Sequence, residues 1–356
     1  MSRFRPERAD SIGIIVHYEC TYRCAHCLYA CRPGLNETIR PEDLDRLVDA
    51  IDRACPRAYV HIGGGEPFVQ LDRLVAVVEG LRRRGLFLEY VETNGFWVTH
   101  PDGRDWLHRV RRTGCRRLLL SISPFHNAFL SCRDNVKACE MIVDIFGPEG
   151  IFPWHPAYYT FLKRVDPDRP VPFDTYARHF KRDEIASQLT RIIYLHPAGR
   201  AALSFGPFLG KRPAVSYEGK RCSQELSSPV HAHVDPYGHY LTGFCTGLQI
   251  GDKEAFDLER LYREGIRLAT YPILEMLVDG KLGDLSRFAE GLGFRSDPEG
   301  YVSACHLCGH IRTWLYHHFP EKNRPAELAP RFFYEEMGHH FLDKASTAEE
   351  SGDAKR

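Results

Sequence analysis

The sequence predicts an α/β fold: six strand–helix units arranged as an open, partial (β/α)6 TIM-like barrel, followed by a smaller region of different character. Three observations carry that expectation. Short β-rich apolar runs alternate with amphipathic helical segments between residues 11 and 199. The unusual motifs of this half fall just after strands, where parallel α/β sheets gather their chemistry. Beyond about residue 200 the alternation stops, and glycine and proline crowd into FGPFLGKRPAVSYEGK (205–220).

The elements follow in order. SIGIIVHYE (11–19) is a first strand that feeds straight into a cysteine-rich loop. PEDLDRLVDAIDRA (41–54) has proline at a helix start, acids in its first turn and apolar residues at helical spacing. AYVHI (58–62) is a short strand ending at Gly63-Gly64-Gly65-Glu66-Pro67. LDRLVAVVEGLRRRG (71–85) is an amphipathic helix with basic residues and glycine at its end. LFLEYVET (86–93) is a strand stopping at Asn94-Gly95; DWLHRVRRTG (105–114) is helical, and RRLLLSIS (116–123) is the next strand. NVKACEMIVDIFG (135–147) is a helix, AYYTFL (157–162) a fifth strand, RDEIASQL (182–189) a helix and RIIYLHPAG (191–199) a sixth strand. Right-handed crossovers would make these strands parallel. Six units are too few for a closed eight-stranded barrel, and a doubly wound sheet is the competitor, since alternation alone does not separate the two. Farther on, HAHVDPYGHYLTGF (231–244) reads as a β-hairpin turning at Asp235-Pro236-Tyr237-Gly238, and helical segments follow around 253–278. DKASTAEESGDAKR (343–356) is polar and aperiodic, a disordered tail by composition.

Lys plus Arg and Asp plus Glu both total 47 in 356 residues, which argues against a broad nucleic-acid-binding surface. The N-terminus, MSRFRPERADS, has no apolar signal core, and no run approaches the ~20 apolar residues that span a bilayer. A cytoplasmic protein with no membrane partner is expected. In a reducing compartment its twelve cysteines read as thiols or metal ligands rather than disulfides. Cys55, Cys115, Cys132 and Cys139 sit singly in apolar or helical contexts and read as small buried hydrophobes. The paired histidines His317-His318 and His339-His340 have no acidic partner spaced to complete a metal site.

Cys20, Cys24 and Cys27 follow a C-x3-C-x2-C spacing, and Cys31 repeats the x3 step. Three thiolates on one short loop hold three irons of a cubane and leave the fourth open, whereas four close it. With Gly64-Gly65-Glu66-Pro67 after the second strand, the triad resembles that of the radical S-adenosylmethionine (SAM) enzymes, over roughly residues 11–200. The resemblance implies a [4Fe–4S] cluster on Cys20, Cys24 and Cys27 with SAM at the open iron, and gives Cys31 no ligand role. It implies that the Gly64-Gly65-Glu66-Pro67 edge receives the methionine amino group, and that His26 takes the place of the aromatic residue before the third cysteine. Thr93, Asn94, Ser121 and Ser123 stand where that family contacts the SAM carboxylate and ribose; ordinary turn chemistry is the other reading of these four. An electron from a flavodoxin- or ferredoxin-like donor would cleave SAM reductively, and the 5′-deoxyadenosyl radical would abstract hydrogen from a substrate C–H bond.

Cys222, Cys245, Cys305 and Cys308 are the cysteines beyond residue 139, and four is the number that closes either a [4Fe–4S] or a zinc site. VDPYGHYLTGFCTGLQIGD (234–252) resembles the start of the SPASM or twitch extensions of radical SAM enzymes, and Pro197-Ala198-Gly199-Arg200-Ala201 the segment preceding them. Full SPASM domains carry about seven auxiliary cysteines, so four imply the shortened type with one auxiliary [4Fe–4S] cluster. The implied organisation is a partial barrel over 1–203, a SPASM/twitch-like domain over 204–325 and a C-terminal extension with its tail over 326–356. Enzymes with such extensions mostly modify peptides or proteins. A cluster loop beginning at residue 20 leaves no room for a leader-binding domain before it, which keeps a small molecule of a natural-product or cofactor pathway as the alternative. A non-catalytic, zinc-stapled binding protein is the reading from another class.

Overall fold

The computed structural model describes residues 2–154, 157–192, 195–228, 230–250 and 256–342. Its strands are β1 (Arg3–Phe4), β2 (Ser11–Ile15), β3 (Tyr59–Gly63), β4 (Phe87–Thr93), β5 (Leu118–Ser121), β6 (Ile151–Trp154), β7 (His231–Val234), β8 (Tyr240–Thr242) and β9 (Ile266–Arg267). Seven of them form one sheet in the order β6-β5-β4-β3-β2-β7-β8, while β1 and β9 pair separately. From β2 to β6 each strand lies parallel to the one before it. The connections run through α1 (Pro41–Ala54), α2 (Leu71–Arg83), α3 (Gly103–Arg112) and α4 (Cys132–Phe146). The result is an α/β fold with a parallel-rich central sheet, consistent with a partial barrel.

Two of the expected strands are not strands. AYYTFL is helix α5 (Ala157–Leu162), because its buried residues Tyr158 and Leu162 recur four apart while Tyr159 is exposed, a helical period rather than an alternating one. The fifth strand is instead β6, a four-residue edge strand that contains Pro153. In RIIYLHPAG, residues up to Ile192 complete a π-helical turn, Gln188–Ile192, after α6 (Phe173–Arg178) and α7 (Arg182–Ser187). Residues 193–194 lie outside the described residues, and 195–198 carry no regular structure. The sheet gains its extra parallel strand from the other side: β7 pairs parallel to β2, and β8 turns back antiparallel to β7. The hairpin expected to open a C-terminal extension therefore continues the central sheet.

One face of the sheet is close-packed. Ile12, Ile14, Val60, Ile62, Leu118 and Leu120 are at most 1% exposed, and so are Leu47, Ile51, Leu74 and Leu107 on the covering helices. Burying each such side chain contributes roughly 1.5–3 kcal/mol. Because successive strand residues alternate faces, the opposite face carries Gly13, His61, Gly63, Tyr90, Glu92, Ser121, His231 and His233. That second face is polar and holds the side chains available for chemistry.

The chain then adds α8 (Arg200–Ser204), α9 (Ser223–Ser227), α10 (Leu258–Glu264), α11 (Pro272–Val278), α12 (Leu282–Gly291), α13 (Ala304–His318) and α14 (Arg331–Phe341). The helical segments expected around 253–278 are α10 and α11; residues 251–255, which include the end of the LQIGD motif, lie outside the described residues, as does the tail from 343. Among the described residues no helix is long and apolar enough to cross a membrane.

Candidate functional site

Past β2 the chain leaves the sheet, bridges to residue 38 at His17, and enters the cysteine loop. Cys20 N–H donates to Arg32 O (3.2 Å) and Cys27 N–H to Cys24 O (3.1 Å), so the loop folds back on itself. Cys24 is buried; Cys20 and Cys27 are half-buried. Burial pushes the Cys20 thiol up to about 12, with Glu66 and Cys27 adding to it. Cys24 is raised further by burial and by the nearby charges of Cys20 and Cys27. Cys27 is lowered, first by a hydrogen bond from Cys31 and then by Arg200, and Cys31 is raised in return. The three predicted ligands thus share one electrostatic environment. Cys31, which the spacing left over, supports Cys27 and donates to Gly64 O at 3.4 Å.

Gly64 and Gly65 serve the cysteine loop directly. Gly65 N–H donates to His17 O and Glu66 N–H to Glu19 O, both at 2.8 Å. A Cβ on Gly65 would lie 1.8 Å from Glu19 O, so only glycine lets the two backbones approach. The Glu66 carboxylate, 1% exposed, accepts from Thr93 Oγ1 (2.9 Å), Phe68 N–H (3.2 Å) and Asn94 N–H (2.6 Å). Burial nevertheless pushes it up to about 7. Here Glu66 ties the turn after β3 to the turn after β4, and Pro67 opens the short 3-10 turn Pro67–Gln70 behind it.

The four polar residues at strand ends divide. Thr93 is buried, donates to Glu66 and accepts from Gly95 N–H (3.1 Å) and Trp97 Nε1 (2.9 Å). Asn94 reaches the loop itself, donating from Nδ2 to Thr21 Oγ1 (3.0 Å) and towards Cys20 Sγ (3.6 Å). Ser121 stands at the top of β5, two residues past Leu119, which pairs with Glu92 of the polar face. Ser123 is buried and pairs through Oγ with His126 Nδ1 at 2.8 Å. His26 stacks on Phe125 with ring centroids 4.7 Å apart, which suits the flat side chain expected before Cys27.

Two residues that hold the loop were missed in the sequence. Arg200, quoted as part of a motif but given no role, is buried in α8 and donates from Nε to Cys24 O (3.0 Å) and from Nη2 to Cys31 O (2.6 Å). Its Nη1 lies 3.3 Å from Glu336 on α14, and Glu336 also takes Arg23 at 2.6 Å and Arg32 at 3.6 Å. Burial works against the Glu336 charge, yet the His340 ring 3.8 Å away, the hydrogen bond from Arg23 and the nearby Arg200 hold it down at about 2. An acid among the buried Phe332, Phe333, Tyr334 and Met337 was the available signal.

The structure also brings Cys222, Cys245, Cys305 and Cys308 into one neighbourhood. Burial and then the other three cysteines raise Cys222; burial raises Cys305 to about 12 and Cys245 to about 11. Cys305 and Cys308 lie in the first turns of α13, whose N-cap Ser303 accepts from His306 N–H and donates to Pro197 O at 2.8 Å. Arg312 on the same helix is 4% exposed and donates to Cys308 Sγ (3.3 Å), Thr246 O (2.8 Å) and Tyr334 Oη (3.0 Å). No carboxylate pairs with it among the described residues.

The loop sulfurs fit an iron–sulfur cluster. Cys20 Sγ receives Tyr22 N–H at 3.4 Å and the Asn94 amide, and Arg200 favours the thiolates of Cys24 and Cys27. N–H groups aimed at sulfur and a nearby cation stabilise the ligating, deprotonated form.

Residues 14–137 match the radical SAM superfamily model. The chain carries a radical SAM domain over that stretch and is an enzyme of the radical SAM class, which implies a [4Fe–4S] cluster and SAM. No curated protein matches. Similar solved structures include BtrN in complex with AdoMet and 2-DOIA (TM-score 0.41, 13% identity, 79% of this chain and 91% of that one covered). Others are anSMEcpe with AdoMet and a Cp18Cys peptide (0.40, 13%, 95% and 99%) and Streptococcus suis SuiB bound to S-adenosylmethionine (0.36, 10%, 83% and 77%). Likenesses this remote do not bear on substrate or mechanism.

Proposed function

We propose that Cys20, Cys24 and Cys27 hold the SAM-binding cluster and that the enzyme abstracts hydrogen from a C–H bond of a peptide or protein. The observation that carries the site assignment is the three-cysteine loop, hydrogen-bonded along the Gly65–Glu66 edge and held from beneath by Arg200. The cluster, with SAM at its open iron and an electron from a flavodoxin- or ferredoxin-like donor, supplies the 5′-deoxyadenosyl radical that does the hard step. The chain's own residues orient and shield. Asn94 positions the Cys20 side of the loop, His26 supplies a flat surface beside Cys27, and Ser121 stands by the polar sheet face where substrate would lie. Gly64, Gly65, Glu66 and Pro67 form the edge for the methionine amino group, with Glu66 shaping that edge through backbone hydrogen bonds rather than by direct charge. Thr93 and Ser123 support the same turns from their buried positions.

We assign Cys222, Cys245, Cys305 and Cys308 to one auxiliary [4Fe–4S] cluster in a SPASM/twitch-like region over 204–325. The buried Arg312, without a carboxylate partner among the described residues, is matched by anionic sulfur ligands. A tetrahedral zinc site would bring its sulfurs to about 3.8 Å of one another. Among the described residues, however, the group of metal-ligand atoms gathered within 4.8 Å contains no cysteine. A small polar molecule bound against the polar sheet face, which carries His61, Tyr90 and Glu92, is the second reading of the substrate.

Anaerobic reconstitution tests this assignment. About eight irons per chain are expected, four for each cluster, with 5′-deoxyadenosine formed from SAM under reduction. Replacing Cys20, Cys24 and Cys27 by Ala is expected to halve the iron and abolish 5′-deoxyadenosine; Cys305→Ala with Cys308→Ala should halve the iron alone. Unchanged iron in either variant overturns the corresponding ligand set, and iron-loaded protein that forms no 5′-deoxyadenosine sinks the enzymatic reading.

A further inference from the structure

Three histidines meet on the polar sheet face. His61 of β3 and His233 of β7 are both in register with Gly13 of β2, one from each side. With no side chain at Gly13 their rings lean together over the central strand: a Cβ there would lie 2.5 Å from His61 Nε2 and 2.7 Å from His233 Nε2. His231, two residues earlier on the same face, places Nε2 3.2 Å from His233 Nε2. One ring nitrogen of each histidine lies within 4.8 Å of those of the other two.

The remaining nitrogens are arranged unequally. Tyr29 Oη pairs with His233 Nδ1 at 3.0 Å, and Ser11 Oγ with His231 Nδ1 at 3.1 Å, so both rings are oriented from behind and turn Nε2 inward. His61 Nδ1 is buried without a hydrogen-bond partner. One proton shared between His231 and His233 satisfies that pair and leaves His61 Nδ1 unsatisfied. Burial holds all three imidazoles in the neutral, ligating form.

We propose that His61, His231 and His233 form a binding site for a divalent transition-metal ion, with zinc the fitting case and a fourth coordination position left open. Three imidazoles with oriented outer partners are the donor set that such ions take, and three protein ligands are the number that leaves a site open. A zinc ion at 2.0–2.1 Å from each nitrogen needs them about 3.4 Å apart, a small inward rotation from the observed spread. Tyr29, two residues past Cys27, links this site to the cysteine loop. The site is independent of the SAM-cluster assignment, because none of its ligands is a cysteine.

The test is zinc titration of iron-reconstituted, chelator-treated protein, with zinc and iron measured in the same dialysed sample. The parent chain is expected to bind one zinc that His61→Ala and His231→Gln each weaken by more than about 100-fold, with iron unchanged. X-ray absorption at the zinc edge should show nitrogen scattering from three imidazoles. Zinc bound equally by parent and histidine variants, no zinc bound, or a sulfur-ligated zinc overturns the proposal. Should His61→Ala lose iron through misfolding, the half-buried His231→Gln decides, and zinc retained there also overturns it.

Discussion

Gly65 and Glu336 show what single residues do for the cysteine loop. At Gly65 the obstacle to a side chain is the Glu19 backbone carbonyl, which no rotamer change relieves. Gly65→Ala is therefore expected to cost about 3 kcal/mol or more and to lower bound iron towards that of the triple cysteine variant, read by thermal unfolding and iron assay. Glu336 acts by charge. Its carboxyl is depressed from 4.5 to about 2, so the unfolded chain binds the extra proton, and the stability it adds is present above about pH 4.5 and lost as pH falls towards 2. The melting-temperature gap between the parent and Glu336→Gln is expected to hold from pH 7 to about 5 and to close below pH 4.5. A gap that does not change with pH would rule out the charge as its source. The cysteine triad and the glycine pair were legible because their spacing is local. Arg200 and Glu336 were not, because they meet 136 positions apart in the chain.

Among the elements, α13 carries the clearest consequence of local chemistry. Its N-cap Ser303 satisfies the His306 N–H and also reaches Pro197 O, so one hydroxyl starts the helix that presents Cys305 and Cys308 and docks it on the segment before Arg200. Ser303→Ala is expected to lower stability by about 1 kcal/mol, measured by denaturant unfolding, and Ser303→Thr to restore most of it. Helices α1 to α4 and strands β2 to β5 were readable because amphipathic period and strand alternation coincide with their burial. AYYTFL misled because β-branched and aromatic composition pointed to a strand, while tertiary burial of Tyr158 and Leu162 selected the helix. Trp154 ends a short edge strand, and Pro153 within it hid β6 from the pattern.

For the whole molecule, the C-terminal residues complete the N-terminal site. β7 covers the β2 edge, α8 lies under the cysteine loop, and Glu336 reaches Arg23, Arg32 and Arg200 from α14. A chain ended after residue 203 is expected to lose both its cooperative thermal transition and its iron, whereas one ended after residue 342 should keep both, by circular dichroism and iron analysis. Iron retained in full by the shorter chain would mean that the loop holds its cluster without β7 or α14.

Chemistry that depends on spacing within one loop, and helices and strands whose burial follows their period, were determined by the sequence alone: the C-x3-C-x2-C triad, the glycine edge at 64–65 and the α/β alternation. Tertiary structure alone decided which strand borders β2, which acid neutralises the arginines around the loop, and that Gly13 lets His61 and His233 meet across it. The physical reason is the same in each case. Those contacts join residues far apart in the chain, and their stability comes from burial and charge pairing that appear only once the sheet and its helices have assembled.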